Sequence, residues 1–199
     1  MSSGCVITDP PQFQDPTPTI PFLILPDPDP GKVVIVDSTL LATTNSEIDF
    51  SAEVMSQDDP ADAGYATVTA HLFIDYGYTL PNGNPYRYDI PNPYVSSGTI
   101  DQTSGRRARF QWFPGVNVVD PGCHTATMVV SHKFDDFGCP ACDTDSSSIT
   151  WQILRCDATQ SNCDDLALAG CQTLTNTCAK ARAARDAGST CQAEDAGAQ

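Results

Sequence analysis

The sequence predicts a mainly β protein: a sandwich of antiparallel strands followed by a small, disulfide-stapled α-helical appendage. Between Gly31 and about Arg155, apolar and polar residues alternate with a period of two, and turn residues separate the alternating runs. Helical periodicity is absent from these runs. After Arg155 the composition changes to Ala-rich and Cys-rich sequence. The 199 residues are 40% hydrophobic, which is enough for one core of ordinary size.

The first element along the chain is a Pro-rich tether over residues 1–30. The segment from Pro10 to Pro30 contains many of the sixteen prolines, and such a segment favours extended polyproline II and resists helix formation. Within it lies an apolar island, IPFLIL (20–25), which is too short to span a bilayer. We expect this island to dock on the domain as an edge strand.

Six alternating runs then predict the strands of a sandwich over residues 31–155. One face of each strand is expected to be buried. The residues predicted to point inward are Ile48, Phe50, Ala52, Val54, Val68, Ala70, Leu72, Ile74, Ala108, Phe110, Trp112, Ile149, Trp151 and Ile153.

A short motif refines the fold class. DPGCHTA (120–126) has the spacing of Asp-x-Gly-x-Tyr-x-Cys, with His124 at the tyrosine position and Ala126 at the second cysteine position. On this motif and the strand count, the chain resembles bacterial immunoglobulin-like or fibronectin-like domains. The resemblance implies an immunoglobulin-like antiparallel sandwich without the inter-sheet disulfide of antibody domains. It also implies that His124 hydrogen-bonds to backbone, as the tyrosine of that corner does.

The C-terminal region is predicted to be helical. Residues 156–191 contain two runs with capping residues at their start and a Gly near their end, which indicates a Cys-rich helical hairpin. Residues 192–199 are predicted to be a disordered tail.

Nine cysteines indicate an oxidising compartment, since reducing cytosol disfavours such usage unless the thiols bind metal. The small-residue run ending in Gly4-Cys5 resembles the end of a bacterial lipoprotein signal, although Ser2 stands where an aliphatic residue is usual. The resemblance implies acylation of Cys5, with the rest of the signal upstream of Met1. We therefore expect secretion across the inner membrane to a periplasmic, outer-membrane or cell-surface location. The alternative is an odd thiol in a disordered terminus.

The other eight cysteines are an even number and predict four disulfides. If the last two strands form one long hairpin, Cys123 and Cys156 meet at its base, and the sequence CPAC lies at its tip, about 30 Å away at about 3.4 Å per residue. The predicted pairs are Cys123–Cys156, Cys139–Cys142, Cys163–Cys191 and Cys171–Cys178.

The charge pattern excludes several partners. A net charge of −15 argues against nucleic acid and against an anionic lipid surface, because both need a basic face. The basic run Arg106, Arg107 and Arg109 is interpreted as protection of an edge strand rather than an anion site. None of the acidic clusters has the spacing of a calcium loop, so no metal site is predicted.

Catalytic motifs are absent from the sequence: it contains no nucleophile elbow, metalloprotease helix, phosphate loop or dinucleotide fingerprint. Cys139 and Cys142 have the spacing of a redox dithiol or half a zinc site, but they fall in a loop between strands, which favours a structural disulfide. We therefore predict no enzyme activity and no cofactor.

The segment 75–95 contains five of the six tyrosines, with Asn, Gly and Pro between them. This composition is typical of a recognition loop, because tyrosine rings offer contact area at low entropic cost. The alternative is a long hairpin whose tyrosines pack on their own sheet. The predicted binding residues are Tyr76, Tyr78, Tyr86, Tyr88 and Tyr94.

Together these observations predict a non-enzymatic cell-envelope lipoprotein that acts as a binding, adhesion or surface-assembly accessory module. Its partner would be a protein or a glycan at the cell surface, and it would touch the membrane through its lipid anchor only. Two alternatives stay open: a redox or metal-binding protein that uses the CPAC pair, and a carbohydrate-binding module.

Overall fold

A computed structural model describes residues 20–42, 45–55, 68–77, 84–91, 106–141 and 145–156. Within these ranges the chain forms eight strands and one five-residue helix. In chain order they are β1 (Phe22–Asp27), β2 (Val33–Val36), α1 (Ser38–Ala42), β3 (Ile48–Met55), β4 (Thr69–Ile74), β5 (Tyr88–Pro91), β6 (Arg106–Trp112), β7 (Gly122–Ser131) and β8 (Ser146–Arg155).

The strands form two sheets. One has the order β1-β3-β6 and is antiparallel throughout. The other has the order β2-β8-β7-β4-β5, in which only the β2–β8 pair is parallel among the described strands. The first two strands therefore belong to different sheets, and the short connection between them carries the chain from one layer to the other. The protein is thus mainly β, as predicted.

The core lies between the two sheets. Phe50 of β3 and Trp151 of β8 meet across it, with ring centroids 5.1 Å apart. The predicted inward face is confirmed in the four runs for which inward residues were named, because successive side chains of a strand point to opposite faces of the sheet. Ile48 and Ile149 pack at the rim of this core, and the other predicted inward residues are buried in it.

The apolar island in the Pro-rich segment docks as expected. β1 pairs with β3 from Phe22 onward, and the pairing register shifts between Ile24 and Asp27. The sandwich therefore begins at β1, within the segment 1–30 that was predicted as tether. Residues 1–19 lie outside the described part of the chain.

The basic run is on β6, the last strand of its sheet among the described residues. Arg109 makes two hydrogen bonds to Asp49 on β3, at 3.1 and 2.7 Å. Arg107 donates to Ser51 on the same strand, at 2.8 Å. These side chains therefore face partners on the neighbouring strand, on the outer side of the sheet.

β7 and β8 form the predicted long antiparallel hairpin, which pairs from Gly122–Arg155 to Ser131–Ser146, but the connection between them does not continue outward as a distant tip. β7 ends at Ser131 and β8 begins at Ser146, and residues 133–141, which we call the flap, fold back over the outer face of the second sheet. Cys139 is buried there against Phe73 and Val129. The prediction that CPAC occupies a distant tip is wrong for Cys139, because the apolar outer face of β4 and β7 attracts the flap.

The predicted helical hairpin and tail, from residue 157 onward, lie outside the described residues, so the helical appendage remains a prediction. Among the helices that the structure describes, none is long and apolar enough to cross a membrane.

Candidate functional site

A group of charged side chains lies at the end of the sandwich where β4 finishes and β7 starts. We call Asp75, Arg87, Asp120 and His124 the brace. Asp75 directly follows β4 and has a positive φ of 56°. Non-glycine residues adopt this left-handed conformation seldom, although Asp and Asn tolerate it best. Asp75 is 3% exposed, so its carboxylate needs partners inside the protein.

Three groups satisfy the Asp75 carboxylate. Oδ2 accepts a hydrogen bond from Nε of Arg87 at 3.0 Å and lies 2.8 Å from Nδ1 of His124. Oδ1 accepts from the backbone N–H of Thr125 at 3.2 Å. Burial raises the pKa of Asp75, but His124, the Thr125 amide and Arg87 together outweigh it and hold that pKa below its ordinary value. Asp75 is therefore ionised over the neutral range.

His124 contacts an acceptor with each ring nitrogen. Nδ1 faces Asp75, and Nε2 donates to the backbone carbonyl of Asp120 at 2.6 Å. The predicted backbone bond at the corner position is therefore present. An ionised carboxylate and a carbonyl can only accept, so both contacts are hydrogen bonds only when both ring nitrogens carry hydrogen, and the imidazole is then positively charged.

The brace reaches the surface through Arg87. Its Nη1 donates at 3.2 Å to the carboxylate of Asp120, a side chain that is 80% exposed. Arg87 thus joins a buried acid to an exposed one across the start of β5. The group contains no nucleophile, and its described contacts tie loops together rather than present a reactive atom.

The loop that precedes β7, residues 113–120, is fixed by hydrogen bonds from side chains to its backbone carbonyls. Asp120 O accepts from His124, Val118 O accepts from the hydroxyl of Tyr88 at 3.0 Å, and Val119 O accepts from the guanidinium of Arg155. The Val119 side chain is part of the main core. A turn in the same loop is closed by the N–H groups of residues 116 and 117, which both donate to Phe113 O at 2.9 Å.

Two apolar side chains of this 113–120 loop face solvent. Val116 is 62% exposed and Val118 is 43% exposed. Exposed apolar residues are common singly, but here two lie together on a backbone that several hydrogen bonds fix. The loop therefore offers a small apolar surface in one defined conformation.

The outer face of the second sheet carries an aromatic cluster under the flap. Phe73 of β4 lies between Tyr76 and Tyr86, with ring centroids 4.9 and 4.8 Å away. Phe134 of the flap packs on His71 at 4.4 Å. Burial, Asp89 and Asp135 raise the pKa of Tyr86. The cluster fixes the flap on the sheet and leaves these rings little outward surface.

The structure places three of the five tyrosines predicted to bind a partner. Tyr76 is 3% exposed, while Tyr86 and Tyr88 are half-buried. Tyr78 and Tyr94 lie outside the described residues. The three described rings follow the alternative of packing on their own sheet, and Tyr88 also supports the 113–120 loop. A binding role for this set stays a prediction.

Cys123, Cys139 and Cys156 are each in a disulfide bond. The register sets Cys123 opposite Leu154, two residues before Cys156. The proposed pairings remain predictions, and the other cysteines fall outside the described part: Cys5, Cys142, Cys163, Cys171, Cys178 and Cys191.

All three histidines of the chain face a carboxylate through Nδ1. His71 lies 3.1 Å from Asp89, and His132 lies 2.6 Å from Asp145. In the described ranges, no cluster of three or more His, Cys, Asp or Glu side chains has the geometry to hold a metal ion.

Sequence reasoning identified His124 but missed its partners Asp75 and Arg87. Asp75 lies 49 residues from His124, and nothing in a single sequence encodes that pairing. One signal was available: Arg87 and Lys32 are the only basic residues among the first 100, so an isolated arginine in an acidic half indicates a specific acidic partner.

Comparison with known proteins identifies no family. No family model matches the chain, and no curated protein matches it. Among solved structures, the chain is similar to AggA, the major subunit of aggregative adherence fimbriae type I from Escherichia coli, at 14% identity and a TM-score of 0.29. That likeness covers 69% of this chain and 94% of the fimbrial subunit. The strand order and register described above, and not this likeness, define the fold.

Proposed function

We propose that this chain is a non-enzymatic binding module of the cell envelope that contacts a protein partner through Val116 and Val118 of the 113–120 loop. The observation that carries the proposal is the combination of exposed apolar side chains with a backbone held by His124, Tyr88 and Arg155. A surface fixed before binding loses little conformational entropy on association. Loops on a rigid β scaffold are also where sandwich proteins commonly bind.

The strand order supports an immunoglobulin-like arrangement for this module. The sheet β1-β3-β6 corresponds to strands A, B and E, and β8-β7-β4 corresponds to G, F and C. β5 then occupies the place beside C that variable-type domains fill with an extra strand. In this frame the 113–120 loop is the connection between E and F, and His124 takes the position of the corner tyrosine.

The envelope location rests on the sequence. Acylation of Cys5 would anchor the module, and the Pro-rich segment would hold it away from the membrane. Intact mass of the protein isolated from its native envelope tests this part. A diacyl or triacyl adduct on Cys5 is expected, and an unmodified Cys5 would overturn the anchor while leaving the contact loop untouched.

Site-specific photo-crosslinking tests the contact surface. A photoreactive amino acid is placed at Val116, at Val118 or, as a matched control, at Phe137, an exposed apolar residue on the flap. We expect a discrete crosslinked species in the native envelope from the two loop positions and not from the flap position.

Competition with unlabelled protein tests whether the crosslink depends on the two valines. Excess wild-type protein should suppress the crosslink, whereas the double variant Val116→Ser, Val118→Ser should not. Near-ultraviolet circular dichroism checks that both competitors are folded. The proposal fails if the flap position crosslinks equally well, or if the double variant competes as strongly as wild type.

A further inference from the structure

The hydrogen bond from His124 to the 113–120 loop depends on the protonation state of the imidazole ring. Its Nε2 lies 2.6 Å from the carbonyl oxygen of Asp120, and its Nδ1 lies 2.8 Å from the carboxylate of Asp75. Both contacts are hydrogen bonds only while each nitrogen carries hydrogen. The ring is buried, and this limits replacement of either partner by water.

Loss of one proton makes these two contacts incompatible. A neutral imidazole has one N–H, so one nitrogen presents a lone pair to an oxygen that can only accept. If the hydrogen stays on Nδ1, the Asp120 carbonyl faces a lone pair and the end of the loop is pushed away. If it stays on Nε2, the Asp75 carboxylate is repelled, and Asp75 is the group that holds Arg87, which holds the side chain of Asp120.

The charged groups around His124 come from four directions. Asp75 approaches from the end of β4, Arg87 from the start of β5, and Asp120 from the loop itself. Arg155, at the end of β8, donates to the neighbouring carbonyl of Val119. Cys123, beside His124 in the chain, is in a disulfide and does not titrate.

We propose that the 113–120 loop is a pH-responsive surface, held in place while His124 carries both protons and released when it loses one. The significance for binding rests on the proposed function, because the loop is the contact surface assigned above. The motion itself concerns this chain alone and is measured without a partner.

The direction of the response follows from the electrostatics. Burial and Arg87 lower the pKa of His124, but the Asp75 carboxylate and the Asp120 carbonyl outweigh them, so the pKa lies above its ordinary value. The loop is thus held at mildly acidic to neutral pH and loosens as the pH rises through the raised pKa. Asp75 keeps its charge across this range, because its own pKa is lowered.

Hydrogen exchange of the loop amides, corrected for the intrinsic rate, tests the proposal between about pH 5.5 and about pH 9. In the wild type, protection of the amides of residues 116 and 117, which donate to Phe113 O, should fall by up to about tenfold for each pH unit above about pH 6.5, the ordinary pKa of histidine, and should level off once the pH passes the raised His124 pKa, as one-proton linkage requires. The amides of central β7 should stay protected throughout. Flat loop protection over this range would overturn the proposal.

Asp75→Asn is the informative variant. The amide nitrogen of Asn would donate to Nδ1, so a neutral His124 with hydrogen on Nε2 satisfies both of its own contacts. Arg87 loses its hydrogen bond to the same atom at every pH, so the loop is less protected throughout, but the pH response should disappear. His132→Gln, at the opposite end of β7, is the matched control and should respond like wild type. An Asp75→Asn protein that responds as strongly as wild type would contradict the proposal.

A wild-type titration keeps the proposal falsifiable if Asp75→Asn does not fold. The His124 ring signals and the amide shifts of residues 118–120 must then follow one apparent pKa, and unrelated titrations would reject the link. Neither result depends on a partner. A pH-responsive loop with no crosslink at Val116 or Val118 would overturn the proposed function alone, and a crosslink with flat loop protection would overturn this inference alone.

Discussion

His124 and Asp75 form a buried ion pair, with Nδ1 of the imidazole 2.8 Å from Oδ2 of the carboxylate, although 49 residues separate them in the chain. Asp75 directly follows β4 and His124 lies near the start of β7, so the pair links one end of two neighbouring strands. Breaking a buried pair by removing one partner is costly because the remaining charge has no compensation.

The free energy of unfolding should fall as the pH rises above about 6.5, the ordinary pKa of histidine. The pKa of His124 is raised in the folded protein, so its stabilisation is fully present below the ordinary value and is lost as the pH rises through the folded value. Asp75 has a lowered pKa, so its stabilisation is lost only as the pH falls through that value. Urea unfolding at several pH values, with disulfides intact, measures both limbs. A free energy that stays constant or rises between about pH 6.5 and about pH 9 would contradict this assignment.

Asp75→Ala should destabilise the protein by about 3–5 kcal/mol, because it leaves the buried charge of His124 unpaired and puts alanine in a left-handed conformation. Asp75→Asn should cost at least about 1 kcal/mol less, since Asn tolerates that conformation and can hydrogen-bond to a neutral ring. Urea unfolding near neutral pH compares the two. Equal losses would mean that the carboxylate is not what the site requires.

Gly138→Ala should displace Tyr86 from the aromatic cluster. Gly138 has φ of 71°, and an added Cβ would lie 3.1 Å from both Phe73 Cε1 and Tyr86 Cε1. Gly122→Ala is a suitable control, because Gly122 also has a positive φ but no atom lies within 4 Å of the added Cβ. Overpacking of this kind costs about 1–3 kcal/mol. Hydroxyl-radical footprinting should show greater modification of Tyr86 in the first variant only, and equal modification in both would refute the contact.

Phe73→Ala should cost about 3–5 kcal/mol, since it removes the ring at the centre of the cluster beneath the flap. Phe137→Ala removes an exposed ring from the same flap and should change stability by no more than about 0.5 kcal/mol. Thermal unfolding of the two variants gives the comparison. Similar losses would show that the flap is not held by the sheet face.

Alternation of apolar and polar residues predicted which side chains face the core. Successive side chains of a strand point to opposite faces of the sheet, so the apolar set of each run identifies its inward face. The buried core residues of four strands, including Phe50 and Ile153, were predicted in this way. β5 was not predicted. Tyr88 and Ile90 have the alternation of a strand, but the segment around them is rich in Tyr, Asn and Pro, which is typical of a loop. The parallel pairing of β2 with β8 depends on a change of sheet that no alternation encodes.

The candidate site was harder to predict for a physical reason. Its members come from the end of β4, the start of β5, the loop before β7 and β7 itself, and only the fold brings them together. The fold-back of the flap was equally hard to predict, since the apolar residues Phe73 and Val129 on the outer face of the sheet do not specify which connection covers them. His124 alone was predictable, because a local motif places it at a corner where a hydrogen bond to backbone is required.

An NMR measurement of the two ring nitrogens of His124 at about pH 5.5, and again at about pH 6.5, the ordinary pKa of histidine, is the most direct test of the charge state of this ring. We predict that His124 still carries hydrogen on both nitrogens at the higher pH, with one N–H bonded to Asp75 and the other to Asp120. A neutral ring with a single N–H at the higher pH would contradict it, because the bridge between the core and the 113–120 loop would then not exist as described.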